Sequence, residues 1–325
     1  LAFIGVDHGT TAMRFALIEG EKVLTFELGR AEAAAMSEKE ILISIEKKFG
    51  IETGNIDLIA LTYSMGDGFS EIKDLKKLEG RGLRSTEGAG KKTGGGTRVF
   101  DAVRNSGIPA IALPGLHTGS KVDPRMKVFS HLTSPEKLGI AYHIRCLGYE
   151  NFVVSDISSN TVTLAIASGK VIGAIDACIF APGVHHGPLD LQAIRNVDDG
   201  LQTANQAFIE AGALKMTPYK DREELLNAAE KGEKTALLAL DTIALFAAME
   251  IASMQLLLKD YEVTGAVFLA GSVGEVEYVQ KRICKHLGQD CNSLGKWHAA
   301  IGCAEIARDV FAGEKQILGV DVDYP

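Results

Sequence analysis

Runs of apolar residues broken by small polar turns open this chain and predict three successive strands. Phe3-Ile4-Gly5-Val6 ends at Asp7-His8-Gly9-Thr10-Thr11, and Ala12 to Ile18 then runs into the turn Glu19-Gly20. An apolar run, a turn of hydroxyl-bearing residues and a second run read as a hairpin, with the next turn leading into a third strand. The pattern returns as Phe152-Val153-Val154-Ser155-Asp156-Ile157-Ser158-Ser159-Asn160, followed by Thr161 to Ala167 and Ser168-Gly169. Asp7 aligns with Asp156, and Gly20 with Gly169, at one constant offset, so the unit is duplicated.

Between and after the two copies the period changes to that of helices. Ser37 with Glu40 three residues on predicts a capping box, and Ile41, Leu42, Ile45 and Phe49 form the apolar stripe behind it. Asp57 to Tyr63 predicts a strand, and Ser134-Pro135 a helix capped by Ser134 that ends at Gly148. Gly265 to Ala270 predicts a strand that enters Gly271-Ser272-Val273-Gly274 and a helix beginning near Glu275. His298 to Phe311 is a last helix, with a short apolar tail. The order βββαβ, repeated with helical insertions, places the chain in the α/β class with two mixed-sheet domains, 1–148 and 149–325. The last helix or tail is a candidate to return to the first domain.

Composition narrows the class. With 325 residues, 46% hydrophobic and 23% charged, the chain suits two globular cores. A net charge of −8 argues against general binding of nucleic acid, which needs a basic footprint. Lys47-Lys48 and Lys76-Lys77 read as solvated helix faces. The five cysteines form no CxxC pair, and their odd number suits a reducing cytoplasm. Thr235 to Leu258 is the longest apolar stretch, but Asp241 and Glu250 interrupt it; a core helix between domains is expected rather than a membrane span. No secretory signal is visible behind Leu1. Glu79 to Thr97 holds seven glycines, with Arg81, Arg84, Lys91, Lys92 and Arg98 in or near it. It resembles a phosphate-binding loop in composition but lacks the Gly-Lys-Ser/Thr ending of a P-loop, so a phosphate-binding loop and a lid or partner-docking loop stand as alternative expectations.

The duplicated turns carry the candidate chemistry. A strand-end carboxylate such as Asp7 holds magnesium through water, since this hard cation keeps much of its hydration shell. Gly9 admits a close backbone approach, Thr10 and Thr11 offer hydroxyls and amides to phosphate oxygens, and Arg14 can neutralise charge on a transferring phosphoryl group. Asp156 is the second candidate metal holder, or a base or water-orienting group, with Ser158, Ser159 and Asn160 as short donors and acceptors. The turn Gly271, Ser272 and Gly274 lets a planar base or ribose lie against the backbone. The competing reading is a pair of ordinary hairpins whose polar residues satisfy their own backbone. His185 and His186, after the second hairpin, are candidates to bind an anionic substrate. His117 and Arg125 belong to a loop with His131 and Asp123 that is expected to face the same site.

Asp-x-Gly-Thr-Thr at Asp7, Ser-Asp-Ile-Ser-Ser-Asn at Ser155 and Ala-Gly-Ser-Val-Gly at Ala270 resemble the phosphate-1, phosphate-2 and adenosine motifs of the acetate kinase, sugar kinase, Hsp70 and actin (ASKHA) superfamily. The resemblance spans nearly the whole chain. It implies two RNase H-like (actin/acetate kinase-like) domains with an interdomain nucleotide cleft that holds ATP or ADP and magnesium. Gly9 to Leu17 is similar to a segment of acetate and butyrate kinases, and Val171 to Arg195 to a butyrate-kinase stretch that adds Arg195 to the substrate candidates. Val153 to Leu164, Ile179 to Val184 and Ser134-Pro135-Glu136-Lys137 resemble the archaeal methanogenesis marker protein 12 family, which implies a methanogen cytoplasm. The acyl-binding signature of acetate kinases is absent, with Val184-His185-His186-Gly187 near its place; Arg125 and Arg98 stand as candidates for their upstream catalytic arginine. Two functions follow as expectations: transfer of the γ-phosphate to a small acid or alcohol, or an ATP-driven switch acting on a protein partner. The chain is also a candidate homodimer.

Overall fold

The computed structural model describes residues 1–9, 11–84 and 94–325. Two compact units emerge: Leu1–Tyr149 with Gly169–Val171 and Trp297–Pro325, and Glu150–Ser168 with Ile172–Lys296.

The first unit is built on a sheet whose centre is β1 (Ala2–His8), buried along nearly its whole length. It pairs antiparallel with β2 (Ala12–Glu19), which pairs antiparallel with β3 (Lys22–Gly29). Next come α1 (Arg30–Ala35) and α2 (Glu38–Phe49), the latter with the reciprocal capping box of Ser37 and Glu40 and with Ile41, Ile45 and Phe49 buried. On its other side β1 pairs parallel with β4 (Leu58–Leu61). Then follow β5 (Ile72–Asp74), α3 (Gly95–Asn105), β6 (Ala110–Ala112), β7 (Leu116–His117), β8 (His131–Thr133) and α4 (Glu136–Cys146).

The second unit repeats the plan with β9 (Phe152–Ile157), β10 (Thr161–Ala167) and β11 (Lys170–Ile175). It continues through α5 (Leu191–Asp198), α6 (Ala204–Ile209), α7 (Arg222–Glu230) and α8 (Lys234–Asp260) to β12 (Ala266–Ala270), α9 (Glu277–Leu287) and β13 (Asn292–Ser293). After it α10 (His298–Phe311), β14 (Gln316–Ile317) and β15 (Val320–Asp323) belong to the first unit. The strand orders are β14-β15-β5-β6-β4-β1-β2-β3 and β11-β10-β9-β12-β13. Within the first sheet the run β3-β2-β1-β4-β6 repeats the second sheet strand for strand, with antiparallel partners on one side of the central strand and parallel ones on the other.

The second unit stops at Lys296, and α10, the last helix, lies against β1, β2 and α4 of the first. The apolar tail is a hairpin whose β15 extends the first sheet beside β5. The long helix α8 sits wholly in the second unit, against β9, β10 and α9, rather than between domains. Ser134 is not the N-cap of α4. Pro135 holds that position, and Ser134 Oγ donates to Glu136 Oε1 at 2.6 Å. That helix ends at Cys146, before Gly148, whose φ of 97° takes the chain into the left-handed region. The glycine-rich segment is structured at both described ends, as a 3-10 turn at Gly80–Gly82 and as the start of α3, where Gly96 lies against the His8 ring. Lys91 and Lys92 lie outside the described residues.

The seat of α10 depends on backbone meeting backbone. A β-carbon on Gly5 of β1 would collide with Ala300 O and Ala304 N, and one on Gly302 of α10 with Gly139 O of α4. Small residues let main chains approach where any side chain forces them apart, and overpacking of this kind costs about 1–3 kcal/mol or more. Gly302→Ala is therefore expected to lower stability by at least about 2 kcal/mol, read as a shift of the urea midpoint at constant slope. Gly54→Ala, whose added carbon meets nothing within 4 Å, is the neutral control.

Candidate functional site

In the first unit Asp7 is the penultimate residue of β1 and stands opposite Arg14 in the hairpin register. Arg14 Nη1 donates to Asp7 Oδ2 at 3.0 Å. The other oxygen, Asp7 Oδ1, is buried with no hydrogen-bond partner among the described residues. A carboxylate so enclosed resists ionisation. Burial raises the Asp7 pKa from 3.8 to about 6, against the pull of Arg14, while Glu136 adds to the rise and Lys137 opposes it. The ion pair with Arg14 thus offsets only part of the lost hydration.

The surroundings of that carboxyl come from distant parts of the chain. Burial pushes the Glu136 carboxyl up, but the Lys137 ammonium at 2.8 Å and the Ser134 hydroxyl outweigh it, so its pKa falls below the ordinary value. Burial, with Arg30 nearby, lowers the His8 pKa to about 4, which leaves its ring neutral near pH 7. That ring stands edge-on to Tyr63, with centroids 5.3 Å apart. Arg30 Nη1 donates to Gly9 O at 3.3 Å, and the Arg30 N–H donates to Thr11 O, so both ends of the turn are tied to the start of α1. Thr11 is exposed, and Thr10 lies outside the described residues.

In the second unit Asp156 is the penultimate residue of β9, as Asp7 is of β1. Its turn is a hub. The Ser158 N–H donates to Asn160 O, and the His185 and His186 N–H groups both donate to Ser159 O. The Val273 and Gly274 N–H groups donate to Ile157 O, and Gly271, at φ 85°, lies so close that a β-carbon there would strike Asp156 Oδ1. Asp156, Ser158 to Asn160, His185 and His186, and Gly271 to Gly274 therefore share one locality. Burial lowers the His185 pKa, with Asp221 opposing and Arg222 assisting. Burial also lowers that of His186, assisted by His185. Both rings favour the neutral form, able to donate and accept at once.

Other candidates are committed elsewhere. His117 is buried, with Nδ1 accepting from the Gly119 N–H at 3.0 Å and Nε2 2.9 Å from Phe69 O; one ring nitrogen braces its own loop and the other ties it to the distant Phe69 segment, which removes it from the substrate set. Arg125 donates from Nε and Nη2 to the Asp123 carboxylate of its own turn, at 3.0 and 2.8 Å. Arg195 is an exposed residue in the last turn of α5. Among the described residues no group of three or more His, Cys, Asp or Glu side chains is arranged to hold a metal by itself.

Residues that sequence reasoning missed complete both localities. Glu136 and Lys137 act on Asp7 from α4; their run was read only as part of a family resemblance. Arg30 reaches Gly9, and Arg222 Nη1 donates to Ser272 Oγ at 2.8 Å. Glu250, fully buried on α8, accepts from Thr163 Oγ1 at 2.6 Å and from the Ala181 N–H at 3.4 Å. Burial raises its pKa well above the ordinary value, which favours the protonated form. The apolar run around Glu250 was the one available signal, since a carboxyl there needs a reason.

No family model matches the chain. A UPF0285 protein of Methanosarcina mazei is 87% identical over 325 residues, covering all of both chains, and one of Methanococcus maripaludis is 45% identical over 332 residues, covering 99% of each. Among solved structures, the fold is similar to a propionate kinase from Francisella tularensis, with a TM-score of 0.66 and 14% identity over 95% of this chain and 99% of that one. An acetate kinase from Entamoeba histolytica gives 0.62 and 13% over 89% and 87%. A ROK family glucokinase from Streptomyces griseus, solved with glucose and AMPPNP, gives 0.52 and 15% over 95% and 100%. The chain thus has the acetate kinase-like α/β fold.

The enclosed carboxyl makes a pH-dependent prediction. Because the folded protein holds the Asp7 proton more tightly than the unfolded chain, this group favours folding below pH 3.8 and costs stability as pH rises to about 6. With divalent metal removed by chelator, Asp7→Asn is expected to be more stable than the parent above that pH. The gap should approach roughly 3 kcal/mol, at about 1.36 kcal/mol for each pH unit between 3.8 and about 6, and should close toward about pH 4. Urea midpoints measured across this range check it.

Proposed function

The chain belongs to the UPF0285 family, and we propose that it binds ATP with magnesium and transfers the γ-phosphoryl group to a small acid or alcohol. The observation that carries this reading is the twofold strand order, each copy with an aspartate one residue from the end of its central strand. The likeness to acetate, propionate and sugar kinases supports it, and the glucokinase among them holds an ATP analogue. Asp7 fits a hydrated divalent cation, since its buried Oδ1 has no partner among the described residues and a positive charge there would relieve the cost of ionising it. Bound magnesium would neutralise charge on the phosphates.

The chain's own residues take the remaining roles in this reading. Asp7 in the first unit and Asp156 in the second are each a candidate holder of a cation's water shell, and Arg14 stabilises charge on the transferring group. Gly9, Thr11 and the turn Ser158 to Asn160 present backbone and hydroxyl donors to phosphate oxygens. Gly271, Ser272 and Gly274 offer a side-chain-poor surface to the adenosine, with Arg222 fixing the Ser272 hydroxyl. Neutral His185 and His186 orient the acceptor. We assign the chain to the cytoplasm and, through its resemblance to methanogenesis marker protein 12, to methane-forming metabolism; relatives in Methanosarcina and Methanococcus accord with the second of these assignments alone.

The test has two stages. Calorimetric titration with ATP is expected to show magnesium-dependent binding that Asp7→Asn weakens by about tenfold or more, with the fold checked by circular dichroism. ADP release is then measured against a panel of carboxylates and alcohols; one acceptor should stimulate it, and Asp156→Ala should abolish the stimulation. Absence of binding at millimolar nucleotide and excess magnesium would overturn the reading. Binding without stimulation by any acceptor would remove the transferase part.

A further inference from the structure

Helix α8 has two apolar faces. One, with Ile243, Ala247, Ile251 and Met254, is buried in its own unit. The other carries Leu238 at 55%, Leu245 at 42%, Met249 at 45% and Leu256 at 62% exposure, with Ala252 also exposed and Thr242 partly so. At 3.6 residues per turn these six positions fall on one stripe, since their spacings are threes, fours and sevens. Isolated exposed leucines need no explanation, but a continuous stripe along a long helix does.

The stripe is ready to be covered. Thr242 Oγ1 donates to Leu238 O, and the neighbouring Ser253 Oγ donates to Met249 O, both at 2.9 Å, so the hydroxyls are satisfied within the helix. Asp241, on the flank, is engaged by Tyr278 and Arg282 of α9. Burial of this face would therefore strand none of these polar groups.

Its order along the helix identifies the occupant. Read outward from Ala247, the stripe is matched with itself in reverse: Leu245 with Met249, Thr242 with Ala252, Leu238 with Leu256, and finally Lys234 with Asp260. Both terminal residues are exposed. A second copy laid antiparallel would bring each pair to one level, apolar against apolar and ammonium against carboxylate at both ends. A parallel copy would set Lys234 beside Lys234 and Asp260 beside Asp260. A patch that is its own complement under a two-fold rotation is what an isologous interface requires.

We infer that α8 is the core of a homodimer interface, in which two copies of this chain pair antiparallel through the stripe from Leu238 to Leu256. The apolar layers supply the association, while the exposed Lys234–Asp260 pairs set direction and add little energy. The inference is independent of the nucleotide reading, because no residue of the stripe belongs to the site proposed for ATP.

Sedimentation velocity on the full chain tests it. The parent is expected to sediment as a dimer of the 34.7 kDa chain at micromolar concentration. Leu245→Lys and Met249→Glu should each yield folded monomer, because both side chains are exposed and their loss leaves the unit's own core intact. The double variant Leu245→Lys/Met249→Glu should recover the dimer, since only the antiparallel register sets each lysine beside the partner copy's glutamate. A monomeric parent, or a dimer indifferent to both single changes, would overturn the inference. So would a parent that stays monomeric yet floats with vesicles of mixed neutral and anionic phospholipid in a manner lost in Leu245→Lys, which would assign the face to a lipid surface.

Discussion

The backbone contact of α10 with β1 and α4 is the constraint on which the first unit rests. Gly5, Gly139 and Gly302 remove the side chains that would hold these elements apart. A helix near the end of the chain thereby backs the first strand. The same contact buries Cys303 and brings the seat of Asp7 close enough for its charge to act on that thiol. Shape here precedes chemistry: the carboxyl is buried because main chains can touch beneath it.

Burial then governs the electrostatics of both localities. At Asp7 it outweighs a guanidinium at hydrogen-bond distance, whereas at Glu136 an ammonium and a hydroxyl outweigh burial. Neighbouring carboxyls are thus pushed in opposite directions by the number and sign of their partners. Behind the second hairpin, Glu250 has no cation beside it among the described residues, and burial raises its pKa although it is bonded to Thr163 and to the Ala181 N–H. It ties β10 to the segment leading to His185, so a polar group inside an apolar helix helps to hold the turn beside Asp156. Both histidines of that turn are kept neutral by the same loss of hydration.

Much of the fold was legible in local patterns. The Ser37 capping box, the α10 span from His298 to Phe311 and the duplicated strand–turn–strand units depend on residues a few positions apart, and periodicity reports such relations directly. Where the reading missed, the decisive partner was elsewhere. Ser134 looked like a cap because its competition with Pro135 and its bond to Glu136 were invisible. His117 looked available because nothing in sequence shows Phe69 and Gly119 occupying its two nitrogens. Arg222 lies fifty positions from Ser272 and announces no connection to it.

The sequence by itself determined the α/β alternation, the two matching hairpins and the strand-end position of each aspartate, since these follow from side-chain period and turn chemistry. Only the tertiary structure decided what state Asp7 and its neighbours adopt. Hydration is lost through elements far apart along the chain, and the charges that oppose that loss at Asp7 come from β2 and α4, while those of α1 and the start of α7 reinforce it at the histidines. A carboxylate's type can be read from a letter, but its proton affinity depends on everything packed around it.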